Sequence, residues 1–317
     1  MASRSDSLST TAEVSTTTGK ARSRVRAAGG PAIDDLTLFW TRCDPVGGPG
    51  LPLQLINGLG SPHVSYEEGF VAELVGRGFS VVRFDNRDVG QSSRVSEEEG
   101  KRGALYTMVD MAADAAAVLD AVGWGDAHIF GQSMGGMIAQ QLAIGFPQRV
   151  RSLISVMSRT GHRDFGRPTA EALEAILRRA PMDREGWLQN RADSAKIWGS
   201  PEAADPEWVA AKGRALFDYG IDVDGTARQY RAIGASGSRD EQLAELDVPT
   251  LVIHGSADTL IQPDGGRHTA DVIPNARYVE LDGFGHDLPP AWWPTLADLV
   301  ADFVAEVHRP SDHDEPV

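Results

Sequence analysis

The stretch GQSMG, residues 131–135, decides how this chain folds. The apolar run AHIF at 127–130 precedes it and is typical of a short buried strand, and the run GMIAQQLAIGF at 136–146 is typical of a helix. A serine at such a junction could be a simple helix N-cap. The glycines favour a sharper turn, because side chains at those positions would clash across a turn that lifts the Ser133 hydroxyl clear of the sheet.

The same alternation of short apolar strands and longer helical patterns runs along the chain from Ile33 onward. The predicted strands are LTLFWTRC, LPLQLING, FSVVRFDNRD, AHIFGQS, RVRSLISVMS, PTLVIHGSAD and ARYVELDGFGH. Helical patterns between and after them include YTMVDMAADAAAVLDAVGW and WPTLADLVADFVAEVHR. Strands that alternate with helices of about 10–15 residues predict βαβ units, and therefore an α/β fold with a mainly parallel sheet and helices on both faces.

One segment interrupts this alternation and divides the predicted domain. Residues 31–158 and 242–310 are expected to form the α/β core, whereas 159–241 show no convincing buried strand and are helical in composition. We therefore predict a helical lid inserted over one end of the sheet. Residues 1–30 are rich in Ser, Thr, Ala and Arg and are expected to form a disordered tail, and 311–317 a flexible C-terminus. The lid carries aromatic side chains that suggest an apolar substrate group, namely Trp187, Trp198, Trp208, Phe217, Tyr219 and Tyr230.

Composition narrows the classes of partner. The formal net charge of −15 argues against nucleic acid and against an anionic membrane surface, because both are bound by basic faces. One cysteine, Cys43, cannot form an internal disulfide, and no apolar run reaches the roughly 18 residues of a membrane span. The N-terminus lacks the apolar core of a secretory signal, so we expect a cytoplasmic protein.

A serine nucleophile needs a base and an acid that orients the base, and in this arrangement both follow the serine in the chain. Asp258 comes directly after one late strand and His286 after the next, so both should meet Ser133 at the carboxyl edge of the sheet. Other acids and histidines are less suitable. The competing acids are Asp264, Asp282 and Asp287. Of the histidines, His254 is expected to be structural, and His63 has no acid or serine at a suggestive position.

Two backbone N–H groups are predicted to stabilise an oxyanion. The first belongs to Met134, which follows the serine at the start of the helix. The second belongs to Leu59, in the NGLGS loop at 57–61 after an earlier strand. The loop FDNRDVGQS at 84–92 is interpreted as structural, with its charges paired within the loop.

These motifs resemble the α/β-hydrolase superfamily over roughly residues 33–310. The resemblance rests on N-G-L-G, F-D-N-R-D-V-G-Q-S, G-Q-S-M-G-G-M-I-A-Q, H-G-S-A-D and G-F-G-H, in that order. It implies a mainly parallel eight-stranded sheet. D-N-R-D-V-G-Q-S and R-V-R-S-L-I-S-V-M-S-R-T-G further resemble the aclacinomycin-methylesterase-like serine hydrolases, which remove a methyl ester from a polyketide carboxylate with Ser, Asp and His. The chain departs from many superfamily members in having N-G where they have H-G.

The resemblance and the motifs together predict a serine hydrolase that cleaves a carboxylic ester of a small apolar molecule through an acyl-enzyme, without metal or organic cofactor. A methyl ester is the substrate that the resemblance implies. An enol-lactonase, a C–C bond hydrolase and a cofactor-free perhydrolase would use the same three side chains and stay open, as does a ligand receptor built on this fold. A haloalkane dehalogenase or an epoxide hydrolase would need an aspartate in place of Ser133. The sequence names neither the ester nor the oligomeric state.

Overall fold

A single sheet of eight strands organises the chain in a computed structural model, which describes residues 14–26, 32–95 and 106–308. The strands are β1 (Val14–Arg26), β2 (Ala32–Pro45), β3 (Leu51–Ile56), β4 (Phe79–Phe84), β5 (Ala127–Gln132), β6 (Val150–Val156), β7 (Thr250–Gly255) and β8 (Arg277–Leu281). Their order across the sheet is β1-β2-β4-β3-β5-β6-β7-β8. Strand β2 runs antiparallel to both of its neighbours, and every other adjacent pair is parallel. The predicted eight-stranded, mainly parallel sheet is confirmed.

Helices cover both faces of this sheet. The helices of the core are α1 (Glu68–Gly76), α2 (Met108–Ala121), α3 (Met134–Gly145), α9 (Pro263–Val272) and α10 (Trp293–Val307). Helices α2 and α3 pack in one apolar cluster, and α1 and α10 pack in a second cluster. Adjacent residues of a strand pack in opposite clusters. In β4, for example, Val82 belongs to the cluster of α2 and α3, and Val81 belongs to the cluster of α1 and α10. Because successive side chains of a strand point to opposite faces, a strand covered on both faces reads as a continuous apolar run.

Five helices lie between β6 and β7 and form what we call the cap. They are α4 (Ala170–Leu177), α5 (Arg184–Trp198), α6 (Pro206–Tyr219), α7 (Val223–Ser236) and α8 (Asp240–Leu243). The cap falls within the segment 159–241 predicted as a lid, apart from the last two residues of α8, and its role as a lid stays a prediction. None of the described helices combines the length and the hydrophobicity that crossing a membrane requires.

Strand β1 corrects the prediction of a disordered tail over 1–30. Val14–Arg26 pairs antiparallel with β2 along nearly its whole length. Its composition is polar, but Lys20 and Arg22 are exposed while Ala21 and Ser23 are buried, which is the alternation of a strand with one face on the core. Threonine and valine also favour extended backbone. Residues 1–13, 27–30 and the predicted flexible C-terminus at 311–317 lie outside the described residues.

Candidate active site

The turn between β5 and α3 holds Ser133 in a strained backbone conformation. Its φ of 56° and ψ of −121° lie in a region that residues with side chains rarely adopt. The flanking glycines explain how the turn closes. A Cβ on Gly131 would lie 2.3 Å from the carbonyl oxygen of Gly135, and a Cβ on Gly135 would lie 1.9 Å from the carbonyl oxygen of Ile56 in β3. The backbone therefore reaches a packing that only glycine permits, and the serine is presented at the edge of the sheet.

The three side chains predicted to act together lie in one hydrogen-bonded row. Ser133 Oγ is 2.9 Å from His286 Nε2, and His286 Nδ1 is 2.6 Å from Asp258 Oδ2. The serine follows β5, the aspartate follows β7 and the histidine follows β8. Because these strands are parallel, their carboxyl ends meet at the same edge, which brings residues 153 positions apart into contact.

Asp258 is buried and held by several donors. Its Oδ1 accepts hydrogen bonds from the backbone N–H groups of Leu260 and Ile261, both at 2.9 Å. Burial by itself would raise the pKa of the Asp258 carboxyl, but the facing His286 and hydrogen bonds from His254 and His286 outweigh it and lower the pKa to about 2. His254 is fully buried beneath the loop, with Nε2 2.8 Å from the carbonyl oxygen of Ile261. It supports the loop of Asp258, as a structural residue would.

The competing acids are engaged elsewhere. Asp264 accepts a hydrogen bond from the backbone of Gly166 at 3.0 Å, and Asp282 accepts one from Ser256 Oγ at 2.9 Å. Asp287 accepts from the N–H and the hydroxyl of Ser200. None of these three contacts the ring nitrogens of His286, so the row formed with Asp258 is the arrangement among the described residues that can orient the histidine.

The two predicted oxyanion donors belong to segments that lie next to Ser133. Met134 is the first residue of α3, where backbone N–H groups have no partner inside the helix. Leu59 lies in the loop after β3 and lines the same cavity as Ser133. In that loop, a Cβ built on Gly58 would be 3.3 Å from the Cβ of Ser133, so the backbone passes directly beside the serine. The assignment of both N–H groups as oxyanion donors stays a prediction.

The charges of the loop 84–92 pair with groups outside it, which corrects the expectation that they pair within it. Arg87 Nε lies 2.6 Å from Asp114 of α2, and both side chains are buried. Asp88 accepts a hydrogen bond at 2.8 Å from Arg228 of cap helix α7. The loop therefore joins the sheet to a core helix and to the cap.

Asp85, in the same loop, has a partner that the sequence did not reveal. Its Oδ1 accepts from the backbone of His63 at 2.6 Å and lies 2.9 Å from the ring Nδ1. Tyr219, at the end of cap helix α6, donates its hydroxyl to Oδ2 at 2.8 Å. The interpretation of His63 as a histidine without an acid partner was wrong, because the loops after β3 and β4 converge in space. This cluster is a second connection between cap and core.

A cavity of about 140 Å³ opens onto Ser133 and His286 beneath the cap. It continues into a more apolar cavity of about 400 Å³ between the cap helices. The two share several lining residues, namely Leu59, Ser61, Ile176, Arg191, Ser194, Trp198 and Leu216. Of the aromatic cap residues predicted near a substrate, Trp198 and Trp208 line the inner cavity, and Trp187 and Tyr230 line the outer one. Phe217 and Tyr219 line neither.

Three polar residues of the inner cavity were not predicted as site residues. Asn57 is buried, and neither its amide nitrogen nor its amide oxygen finds a hydrogen-bond partner among the described residues. Arg191 and Lys212 project from the cap helices α5 and α6. Spacing could have identified the two cations. Arg191 lies four residues after Trp187 and seven before Trp198, and Lys212 lies midway between Trp208 and Leu216, so each interrupts an apolar helical stripe.

A further cluster has the residue types of a metal site but lies away from this cavity. His162, Asp240 and His268 bring one potential ligand atom each within 4.8 Å of one another. His268 Nε2 lies 2.8 Å from Asp240 Oδ2, and its ring stacks on Phe165 with centroids 3.9 Å apart. The hydrogen bond and the stacking account for these positions as a contact between the end of the cap and α9.

The strained turn at Ser133, the order of the strands and the hydrogen-bonded row of Ser133, His286 and Asp258 define a class of protein. The model of the alpha/beta hydrolase fold family matches residues 52–289, and the chain belongs to this family. Its curated relatives include two enzymes from Streptomyces. It is 32% identical to rhodomycin D methylesterase DauP of Streptomyces sp. (strain C5) and 32% identical to rhodomycin D methylesterase DnrP of Streptomyces peucetius. Each comparison covers 84% of this chain and 94% of the relative.

Solved structures show the same architecture. The enol-lactonase from Burkholderia xenovorans LB400 superposes with a TM-score of 0.67 at 25% identity, covering 89% of this chain and 99% of that one. The meta-cleavage product hydrolase CumD from Pseudomonas fluorescens IP01 gives a TM-score of 0.69 at 20% identity, covering 91% of this chain and 99% of that one. At 20% identity, the similarity to CumD shows a shared fold and nothing more.

Proposed function

We propose that the protein is a serine hydrolase that cleaves a carboxylic ester of a small molecule through an acyl-enzyme. The observation that carries this proposal is the row of Ser133, His286 and Asp258, with Ser133 on a strained turn at the floor of a cavity. A nucleophile, a base within hydrogen-bond reach of it and an acid that orients the base are the parts that acyl transfer requires.

In the first half of the reaction, Ser133 Oγ attacks the ester carbonyl while His286 Nε2 accepts the serine proton. The buried Asp258 carboxylate receives the hydrogen bond of Nδ1–H, which fixes the tautomer of the histidine and stabilises its positive charge. With its pKa lowered to about 2, the Asp258 carboxyl is ionised near neutral pH. His286 then gives the proton to the departing alcohol, and the acyl group remains on Ser133.

The negative charge that develops on the carbonyl oxygen is stabilised by the N–H groups of Met134 and Leu59. Helix α3 begins at Met134, so its dipole adds positive potential at the same place. In the second half, water attacks the acyl-enzyme, His286 removes a proton from that water, and Ser133 leaves with a proton from the histidine. No step of this mechanism needs a metal or an organic cofactor.

The comparisons favour a methyl ester as substrate, because both Streptomyces relatives are methylesterases that match 84% of this chain. An enol-lactone is the second candidate, supported by the likeness to an enol-lactonase at 25% identity. Ring opening of a lactone uses the same attack by serine, and differs in that the leaving alcohol remains attached to the acyl group.

The test is turnover of p-nitrophenyl acetate by the wild type, Ser133→Ala and Ser238→Ala, followed by a panel of methyl esters and lactones. Ser238 is an exposed serine outside the cavity and provides the matched control. We expect a pre-steady-state burst of p-nitrophenol in the wild type and the control, and a loss of several orders of magnitude in Ser133→Ala. Tight ligand binding with no turnover by the folded wild type would overturn the proposal and favour a receptor.

A further inference from the structure

Arg191 is a cation in the cavity whose hydrogen-bonding capacity is unused. It lies on α5 and lines both the inner and the outer cavity. Within the described part of the chain, its guanidinium makes no hydrogen bond and no ion pair, although Asp287 acts on it through space. Burial lowers the pKa of Arg191. A guanidinium offers five N–H donors, and leaving them unmatched in a buried place costs free energy.

Lys212 brings a second positive charge to the same cavity. Its Nζ lies 3.2 Å from Glu67 Oε1 and 4.9 Å from the centre of the Trp208 ring, and 13% of its side chain is exposed. Burial lowers the pKa of Lys212, the charge and hydrogen bond of Glu67 oppose that shift, and the neighbouring charge of Arg191 adds to it. The cavity therefore holds two cations that act on each other.

The acids nearest to these cations are already satisfied by other donors. Asp287 accepts the hydroxyl of Ser200 at 2.6 Å and the N–H of Ser200 at 3.0 Å. Glu67 accepts the indole N–H of Trp208 at 3.0 Å in addition to its contact with Lys212. The donors of Arg191 thus remain free to meet an anion that the cavity admits.

The end of α5 is fixed to the loop of the histidine. The N–H of His286 donates to the carbonyl oxygen of Trp198 at 2.5 Å, and the N–H of Gly285 donates to Ser200 Oγ at 2.9 Å. Because Arg191 lies two turns before Trp198 on the same helix, its position relative to the reacting groups is set by these contacts.

We propose that Arg191 and Lys212 form an anion subsite that binds a carboxylate of the substrate. This inference rests on the proposed function and defines its substrate class as esters that carry a free carboxylate, of which half-esters of short dicarboxylic acids are the simplest. Arg191 binds the two carboxylate oxygens with paired N–H groups, and Lys212 adds a point charge. The local cations also offset the net charge of −15 that would otherwise repel such a substrate.

The first test measures binding without turnover. Isothermal titration calorimetry on full-length Ser133→Ala compares glutarate with pentanediamide, its uncharged isostere. We expect glutarate to bind about 10–100-fold more tightly, as charge-assisted hydrogen bonds in a buried site provide. In the Ser133→Ala background the preference should fall at least about tenfold with Arg191→Met, which leaves only the charge of Lys212, and fall less with Arg191→Lys. Arg184→Met is the matched control, because Arg184 lies on the same helix but is exposed and paired with Asp218.

The second test measures selectivity in the wild-type background. Methanol release from monomethyl glutarate is compared with release from methyl 5-amino-5-oxopentanoate, and the ratio of the two kcat/KM values should fall at least about tenfold in Arg191→Met. Equal binding of glutarate and its diamide, or a preference that Arg191→Met leaves unchanged, would overturn the subsite. Turnover of neutral esters without any preference for glutarate would contradict the subsite alone, whereas a glutarate preference without any ester turnover would contradict the proposed function alone.

Discussion

The carboxylate of Asp258 should matter for catalysis and for folding, and Asp258→Asn tests both. The substitution keeps the size of the side chain but removes the charge that faces His286. The new amide also offers an N–H group to Nδ1, which favours the wrong tautomer of the histidine. If the row acts as proposed, kcat for ester hydrolysis should fall by about 10⁴-fold, the loss known for the same change in one Ser-His-Asp protease.

The folding contribution of Asp258 follows from its pKa. The ordinary value is 3.8 and the folded value is about 2, and each unit of difference corresponds to about 1.4 kcal/mol. The carboxylate therefore contributes about 2 kcal/mol to the free energy of unfolding at neutral pH. Because the folded pKa is the lower one, this stability is present above pH 3.8 and is lost as the pH falls towards 2. About half of it should be gone at pH 3.

Urea unfolding at pH 7 and pH 3 measures this contribution, with Asp264→Asn as the matched control because Asp264 follows the same strand without contacting His286. The wild type and the control should each lose about 1 kcal/mol more than Asp258→Asn between the two pH values. Identical losses in all three proteins would refute the linkage argument, and unchanged kcat in Asp258→Asn would refute the orienting role.

Three further substitutions test other contacts. Gly135→Ala places a Cβ 1.9 Å from a carbonyl oxygen of β3 and should lower both the melting temperature and the activity. The control Gly145→Ala adds a Cβ in open space and should change neither by much. Tyr219→Phe removes the hydroxyl that donates to Asp85 and should destabilise the protein by about 1–3 kcal/mol in urea unfolding, and an unchanged unfolding midpoint would contradict the connection. Asn57→Leu removes a buried amide that has no partner among the described residues, so the melting temperature should stay the same or rise. If the amide binds substrate or water, kcat/KM should fall about tenfold. Unchanged kinetics would assign Asn57 to packing alone.

The sheet and the row of three side chains could be predicted because both are encoded locally. Apolar runs such as Phe79–Phe84 are buried along their whole length, and each ends in a polar loop at the same edge. The glycines around Ser133 identify the strained turn, because larger residues would clash there. Once strand order is assumed, Asp258 and His286 follow from their places after strand ends.

The parts that could not be predicted depend on contacts between distant segments. Strand β1 reads as a polar tail because it is an edge strand with one face in water, so its apolar signal is weak. The pairing of Asp85 with His63, and of Asp88 with Arg228, requires knowing where loops meet in space. Arg191 looks like an ordinary surface residue of a helix until the cavity beneath that helix is visible.

The pairing of β1 with β2 has a practical consequence for anyone who shortens this protein. A chain that begins at residue 31, where the sequence suggests that the folded core starts, would leave the outer edge of β2 without its partner. Leu36 and Leu38, now buried in β2, would lie beside a row of unpaired backbone N–H and C=O groups. Exposed edges of that kind join other chains, so the shortened protein should aggregate on expression while a version that keeps Val14–Arg26 stays dispersed.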